Sequence, residues 1–256
     1  MGHQVSDSYY LNSNVSLNSM VNKVDILAMS RYEMKYVLTK TQLEYLKKIL
    51  SFYMKIDEYG KTSIASLYYD TPDFRLIRTS IEKPAYKEKI RLRSYGLSSK
   101  DSKVFLELKR KVEGVVYKRR IAVKEDDVPL IFKNKEKQGL SQISKEISFF
   151  ASTYKNLVPT FLIIYDRTAY FDPNSDLRLT LDENPRYRVT DLNLHTSMEG
   201  ESLLSEEGAI LEIKVQGAMP MWLSSVLTNK NIYKSSFSKV GEAFKKEMLK
   251  RMERKS

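Results

Sequence analysis

Along residues 87–93, Lys-Glu-Lys-Ile-Arg-Leu-Arg, cations occupy every second position. In an extended strand alternate side chains point to opposite faces. Lys87, Lys89, Arg91 and Arg93 therefore line one face, and Ile90 and Leu92 cover the other. Like charges in one row repel, and like charges on neighbouring strands add to the cost. A strand of this kind makes most sense with a polyanion lying along it. The alternation recurs. Arg31, Glu33 and Lys35 share a face, as do Glu107 with Lys109, Lys118 with Arg120, and Tyr165 with Arg167. Arg178, Thr180 and Asp182 form another such row, and Glu212 with Lys214 the last, so seven candidate strands carry a charged face opposite an apolar or mixed one.

A half-buried antiparallel sheet with a solvated face also alternates. Solvated faces usually interleave signs and include Ser, Thr and Gln, whereas cations dominate here and the carboxylates are isolated. Repeated over the set, the pattern predicts an α+β chain built on a closed antiparallel β-barrel, a tunnel with a cationic lumen. Closure would remove the strand edges, and helices packed outside would cover the apolar outer face.

The remaining elements follow from periodicity and punctuation. A first strand is expected at about 30–38. Thr39 then caps a helix through Tyr53, with Leu43, Leu46, Ile49 and Leu50 at helical spacing. A strand at 63–69 leads to Pro72, which opens a short helix through Ile81. Strands are expected at about 84–96, 103–111 and 115–124. Residues 126–154 read as helical, with Leu140, Ile143, Ile147 and Phe150 as the buried stripe. Strands at 161–171 and 177–182, a further segment at 186–190, a loop at 192–208 and a strand at 209–216 precede C-terminal helices at 219–227 and 237–251. Residues 1–28, rich in Ser and Asn, are expected to be a mobile arm, and 29–256 a single domain.

Composition narrows the chemistry. The chain has 256 residues, 42% hydrophobic and 29% charged, so it can bury a substantial core. Its formal net charge of +11 calls for an anionic partner: nucleic acid, a phosphate-rich molecule or an acidic membrane surface. There is no cysteine, which excludes disulfides, thiolate zinc sites and thiol nucleophiles. The two histidines, His3 and His195, make a His-based zinc site or a Ser-His-Asp triad a poor fit. No apolar run approaches the ~20 residues of a membrane span, and no basic segment followed by an apolar stretch marks a signal peptide. A soluble, cytoplasmic protein is expected, associating with a membrane only through a partner.

In this order the chain carries Arg31-x-Glu33-x-Lys35-Tyr36, Tyr69-Asp70-Thr71, Lys89-x-Arg91-x-Arg93, Glu107-x-Lys109, Tyr165-x-Arg167, Glu212-x-Lys214 and Ser236-x-Ser238-Lys239. No one of these is specific, but the ordered set resembles the VTC domain, the polyphosphate polymerase domain of the triphosphate tunnel metalloenzyme superfamily. The resemblance spans about residues 30–250. It implies an antiparallel tunnel lined with Lys, Arg and Glu, and transfer of the ATP γ-phosphoryl group onto inorganic polyphosphate with Mn²⁺ or Mg²⁺. Other superfamily members hydrolyse triphosphates or polyphosphates, or cyclise ATP. A membrane-protein partner is implied by analogy, and no nucleic acid is expected.

The resemblance places Lys35, the paired Arg91 and Arg93, Lys109, Lys118, Tyr165, Arg167, Glu212 and the Ser238–Lys239 pair in the tunnel. Arg119 and Arg120 compete with Lys118 for its position. Many superfamily members begin Glu-x-Glu-x-Lys. Arg31 stands at the first of those positions here, which removes a metal carboxylate, adds a phosphate contact and fits the VTC branch. Phosphoryl transfer requires charge neutralisation and alignment above all. Arginine gives bidentate contacts and lysine a point charge. Arg91, Arg93 and Arg167 would therefore orient a triphosphate, and Lys35, Lys109, Lys118 and Lys239 neutralise it. Arg31, Lys89, Arg120, Tyr165, Arg178 and Lys214 are further candidate phosphate contacts, with Ser238 at a helix N-terminus that favours an anion. Glu212 is the leading metal ligand. Glu33 and Glu107 are supporting ligands, general bases, or ion-pair partners that hold lysines in place. Two alternatives stand beside the polymerase: a tripolyphosphatase or nucleoside triphosphatase on the same scaffold, and a non-catalytic polyphosphate-binding module.

Overall fold

A computed structural model describes residues 31–99, 101–113, 115–133 and 141–254. The expected arm at 1–28 and Leu140 lie outside the described residues. The strands are β1 (Arg31–Thr39), β2 (Lys55–Asp70), β3 (Tyr86–Tyr95), β4 (Val104–Val112), β5 (Val115–Val123), β6 (Val158–Phe171), β7 (Arg178–Arg188), β8 (Glu201–Ser202), β9 (Gly208–Gln216) and β10 (Lys234–Ser235). The helices are α1 (Lys40–Tyr53), α2 (Arg75–Ile81), α3 (Val128–Lys133), α4 (Gln142–Tyr154), α5 (Met221–Asn229) and α6 (Lys239–Glu253). Among the described residues, the span expected to be helical at 126–154 holds two α-helices, α3 and α4. The segments at 177–182 and 186–190 merge into one strand, β7.

All strands join one antiparallel sheet in the order β10-β1-β9-β7-β6-β2-β3-β4-β5, with β8 beside β7. The sheet is curled. From β1 to β4 is six strand spacings, about 29 Å if flat. Yet Lys109 on β4 feels the charges of Glu33 and Lys35 on β1 and of Glu212 on β9, so the two regions face each other across an inner space. The expectation of a closed barrel is corrected: among the described residues no pairing joins β5 to the β1 side. The far edge of β1 is taken at Lys35 and Tyr36 by the short strand β10, a common way of protecting an edge.

The apolar faces divide the helices. Tyr36, Leu38, Leu179, Leu181, Leu211 and Ile213 bury their side chains against α1 and α5. Leu67, Ile90, Leu92, Leu106, Leu108 and Leu162 bury theirs against α3 and α4. These two layers lie outside the curl, as the alternation requires. Helix α2 adds Leu76 to the second layer, but it also reaches the opposite face, as α6 does. Ile64 and Tyr68 of β2 and Phe161, Ile163 and Tyr165 of β6 pack with Ile77 of α2 and Val240, Ala243 and Phe244 of α6. The register places these strand residues on the face that carries Arg91 and Arg93, because Tyr68 pairs with Arg91 and Phe161, and Ser66 pairs with Arg93. Helices α2 and α6 therefore cover part of the inner face, which corrects the expectation that all helices pack outside.

Local signals set the element ends. At α1 the Thr39 hydroxyl accepts from Gln42 N–H at 3.3 Å, and the Gln42 side chain accepts from Thr39 N–H at 3.0 Å, a reciprocal cap. Gly208 starts β9 where a Cβ would lie 2.0 Å from the Leu38 carbonyl oxygen, so only glycine lets β9 meet β1 there. The buried Asp70 carboxylate ends β2 and starts α2. It accepts from the backbone N–H groups of Thr71 (2.7 Å), Leu76 (2.8 Å) and Ile77 (2.8 Å). Pro72 sits in the turn before the helix, which begins at Arg75. Asp70→Ala strands these donors in a buried site. It is expected to lower the unfolding free energy by about 3 kcal/mol, measured by urea denaturation; a loss below about 1 kcal/mol would show that the cap is dispensable.

Candidate phosphate-binding site

The register of β3, β4 and β5 aligns the charged rows. Arg91 lies opposite Glu107 and Lys89 opposite Lys109. Glu107 in turn lies opposite Arg120, and Lys109 opposite Lys118. Glu107, 1% exposed, is the centre of this group. Arg91 donates to it from Nε at 2.9 Å and reaches it from Nη2 at 2.8 Å. Lys118 lies at 2.7 Å, Arg120 at 3.5 Å and Arg93 at 3.8 Å. Burial pushes the Glu107 carboxyl upward, but Arg91, Arg93 and Lys118 outweigh it and hold the group down at about 2. With both oxygens committed to cations, Glu107 organises arginines. Of the roles expected for it, that of an ion-pair partner is the one these contacts describe.

A second centre joins β6, β7 and α6. Asp182 is fully buried and takes both Nε (2.6 Å) and Nη2 (2.8 Å) of Arg167. Lys239, the first residue of α6, donates to the same carboxylate. Its Nζ also lies 4.4 Å from the centroid of the Tyr165 ring, and the Arg167 guanidinium lies 5.1 Å from it. The Tyr165 hydroxyl accepts from Arg93 Nη2 at 3.3 Å, which ties this centre to the first. Ser238 caps α6, its Oγ accepting from Gly241 N–H, and also accepts from Lys89 Nζ at 3.2 Å. The β3 cations and the N-terminus of α6 therefore meet in one place.

The third centre lies on β1 and β9, where Lys35 pairs in register with Glu212 and Glu33 with Lys214. Lys35 Nζ sits between Glu33 (3.2 Å) and Glu212 (3.7 Å), while Lys214 lies 2.7 Å from Glu212. Burial lowers the Lys35 ammonium pKa, but Glu212 and Glu33 outweigh it and hold the group above its ordinary value. Burial likewise opposes ionisation of Glu212, and Lys214, Lys35 and Arg167 outweigh it, holding the carboxyl well below the usual range. The register partner of Glu212 on β7 is Thr180, whose buried hydroxyl oxygen has no hydrogen-bond partner in the structure.

The cations with no carboxylate of their own show the strain of the arrangement. Burial, with Lys35, Lys87 and Lys109 nearby, holds the Lys89 ammonium down at about 8, although Tyr68 favours its charge. Burial also depresses Lys109, and it depresses Lys87 together with Lys111 and Lys83. Arg178 is exposed at the rim, opposite Lys214. The backbone of Arg31 pairs with Gln216, and its side chain lies outside what is described.

Two residues join the site that the sequence patterns did not single out. Asp182 stood in its charged row without a role. The Tyr68 hydroxyl accepts from Arg91 Nη1 at 3.0 Å. Tyr68 fell in the strand expected at 63–69, within the uncharged run Ala65 to Tyr69, which shows no charged alternation.

A divalent metal can be tested against these donors. Among the described residues no three carboxylates or histidines converge on one point. Glu33 and Glu212 both reach Lys35, and the unpartnered Thr180 oxygen adjoins Glu212. Hard divalent ions such as Mg²⁺ commonly use one or two carboxylates plus substrate phosphates, so this pair fits such an ion bound together with a phosphate.

The fold and site define an antiparallel α+β protein with a buried row of cations on the inner face of a curled sheet. The VTC domain family profile matches residues 30–247, and the chain belongs to that family. A search of curated proteins found no match. Similar solved structures include an adenylyl cyclase candidate from Hippeastrum described as having a dominant triphosphatase activity, at 21% identity and TM-score 0.49, covering 83% of this chain and 93% of that one. Another is an adenylate cyclase candidate from Bacillus halodurans, at 14% identity and TM-score 0.46, covering 82% and 96%. A Pyrococcus horikoshii protein matches at 14% identity and TM-score 0.44, covering 84% and 99%.

Because the Glu107 carboxyl ordinarily titrates at 4.5 and is held at about 2 in the folded protein, its stabilisation is complete above about pH 4.5 and is lost as pH falls towards 2. Melting temperatures across that window are expected to drop for the wild type. Glu107→Gln should be less stable at neutral pH by about 3 kcal/mol and less sensitive to pH below 4.5. A variant that keeps the wild-type pH profile would contradict this role.

Proposed function

We propose that the protein is a divalent-metal-dependent polyphosphate polymerase, transferring the γ-phosphoryl group of ATP to a growing inorganic polyphosphate chain. The observation that carries this reading is the convergence of Lys35, Lys89, Arg91, Arg93, Lys109 and Lys239 on one inner face, where burial and neighbouring cations lower the ammonium pKa of Lys89 and Lys109, the two without carboxylates of their own. Each phosphate unit brings about one negative charge, so a phosphate chain is the ligand that relieves such a row. Membership of the VTC domain family supports the same substrate class.

Arg91 and Arg93, fixed by Glu107, Tyr68, Tyr165 and Ser66, present oriented guanidinium groups to phosphate oxygens. Arg167 and Lys239 are fixed in the same way by Asp182. Lys35, Lys109 and Lys118 add point charges, and the α6 N-terminus with Ser238 offers N–H donors. Glu212 and Glu33 would hold Mg²⁺ or Mn²⁺, which supplies further neutralisation of phosphate charge. In the transfer, a terminal oxygen of the acceptor chain forms a bond to the γ-phosphorus, and the bond to the β-phosphate oxygen breaks to release ADP. The acceptor oxygen is already anionic and requires no general base. That agrees with a site in which the best-buried carboxylates, Glu107 and Asp182, are committed to cations.

Incubation of pure protein with ATP and Mn²⁺ or Mg²⁺, with and without a short polyphosphate primer, tests the reading. Long polyphosphate on a gel is expected from the wild type, with Arg91→Ala and Glu212→Ala slower by on the order of 100-fold or more. Free phosphate as the sole product would replace the polymerase with a triphosphate hydrolase. Tight polyphosphate binding with no turnover would replace it with a binding module.

A further inference from the structure

Tyr68 is nine-tenths buried at the centre of the inner face. Its hydroxyl accepts a hydrogen bond from Arg91 Nη1 at 3.0 Å, and the Arg91 guanidinium also lies 5.8 Å from its ring centroid. From β3, Lys89, Arg91 and Arg93 all act on it, and from β1 it in turn acts on Lys35. Glu107 of β4 reaches this group only through Arg91. The Tyr165 hydroxyl of β6 is engaged by Arg93. The groups that Phe74, just before α2, and helices α2 and α6 bring to the same cluster are apolar, Ile77 and Val240 among them. No carboxylate is hydrogen-bonded to the Tyr68 hydroxyl, so it is an oxygen set among cations where a phosphate oxygen would also lie.

We propose that Tyr68 is a further phosphate-binding residue whose hydroxyl oxygen, accepting from Arg91 among the cations of the free site, stands in for a phosphate oxygen: when a polyphosphate chain binds, the hydroxyl is held protonated, with any missing proton taken from solvent, and donates a hydrogen bond to the chain. The inference rests on the polyphosphate reading of the site and adds to it a proton uptake coupled to binding. The electrostatics agree with the geometry. Burial pushes the Tyr68 hydroxyl up, but Arg91, Lys89 and Arg93 more than offset this and bring it down to about 7. Tyr69, which has no cation at its hydroxyl, is pushed upward by burial, and so are Tyr154 and Tyr187, whose hydroxyls donate to Glu88 and Glu247. A bound phosphate chain places like charge beside the phenolate, and like charge favours the protonated form. The same chain keeps Lys89 charged, so the free site holds its charges in check internally and the bound site holds them through the ligand.

The test uses the whole protein, with tripolyphosphate as the probe, at about pH 8, where a group titrating near 7 is mostly ionised. Calorimetry follows binding, and the tyrosinate absorption band follows Tyr68. The wild type is expected to lose tyrosinate absorption equivalent to about one tyrosine as tripolyphosphate binds, with the loss shrinking as the pH is lowered below 7. Tyr68→Phe should still bind, about threefold to tenfold more weakly, with no change in the band. Binding by the wild type without loss of the band, or with an equal loss in Tyr68→Phe, overturns the Tyr68 assignment and leaves the polyphosphate reading in place. Failure of the wild type to bind tripolyphosphate at all overturns both.

Discussion

The site depends on a small number of buried carboxylates that hold many cations on one face. Without Glu107, Asp182 and Glu212, the positive rows on β3, β4, β5, β6 and β9 would repel across the sheet and across the curl. Each of the three is placed so that one carboxylate serves several cations: Glu107 serves Arg91, Arg93, Lys118 and Arg120, Asp182 serves Arg167 and Lys239, and Glu212 serves Lys35 and Lys214. A buried carboxylate is costly to desolvate, and the pairing repays that cost only while the partners stay. The face thus keeps a positive excess, because each carboxylate is shared among several cations and Lys87, Lys89 and Lys109 carry no ion pair of their own, and it is preorganised for an anion.

Much of this was legible in the chain. Period-two alternation marks one face of β3, β4 and β5, and the register of the folded sheet sets those same residues opposite one another, Arg91 against Glu107 and Lys109 against Lys118. The helical stripe of Leu43, Leu46 and Leu50 and the Thr39 cap likewise appear as α1. The parts that were not legible have physical causes. β2 runs from Lys55, well before the expected start at 63, because its first half is exposed on both faces and carries no alternation. β7 continues past Pro185 because its later residues hold their place through pairing with β6 and β8, which is a tertiary constraint. Closure of the sheet could not be read at all, since it depends on what lies at the edge of β1, and the two residues of β10 occupy that place.

The inner position of α2 and α6 was hidden for a related reason. The inner faces of β2 and β6 are aromatic and aliphatic at Ile64, Tyr68, Phe161 and Ile163, which in a linear reading marks a core face. It is a core face, but it lies inside the curl, and it draws the two helices onto the charged side. That placement brings Ser238 and Lys239 to Lys89 and Asp182. It also buries Tyr68 beside Arg91. A hydroxyl in a stretch of sequence without charge thereby becomes part of a polar site, which no charged alternation announced.

The central claim is that this inner face is a phosphate-chain site. A crystal structure determined with tripolyphosphate tests it most directly. The account predicts phosphate groups between β3 and β9, with oxygens on Arg91, Arg93 and Lys35 and at the N-terminus of α6. Phosphate found only on the outer lysines, with the inner face unchanged, would contradict it.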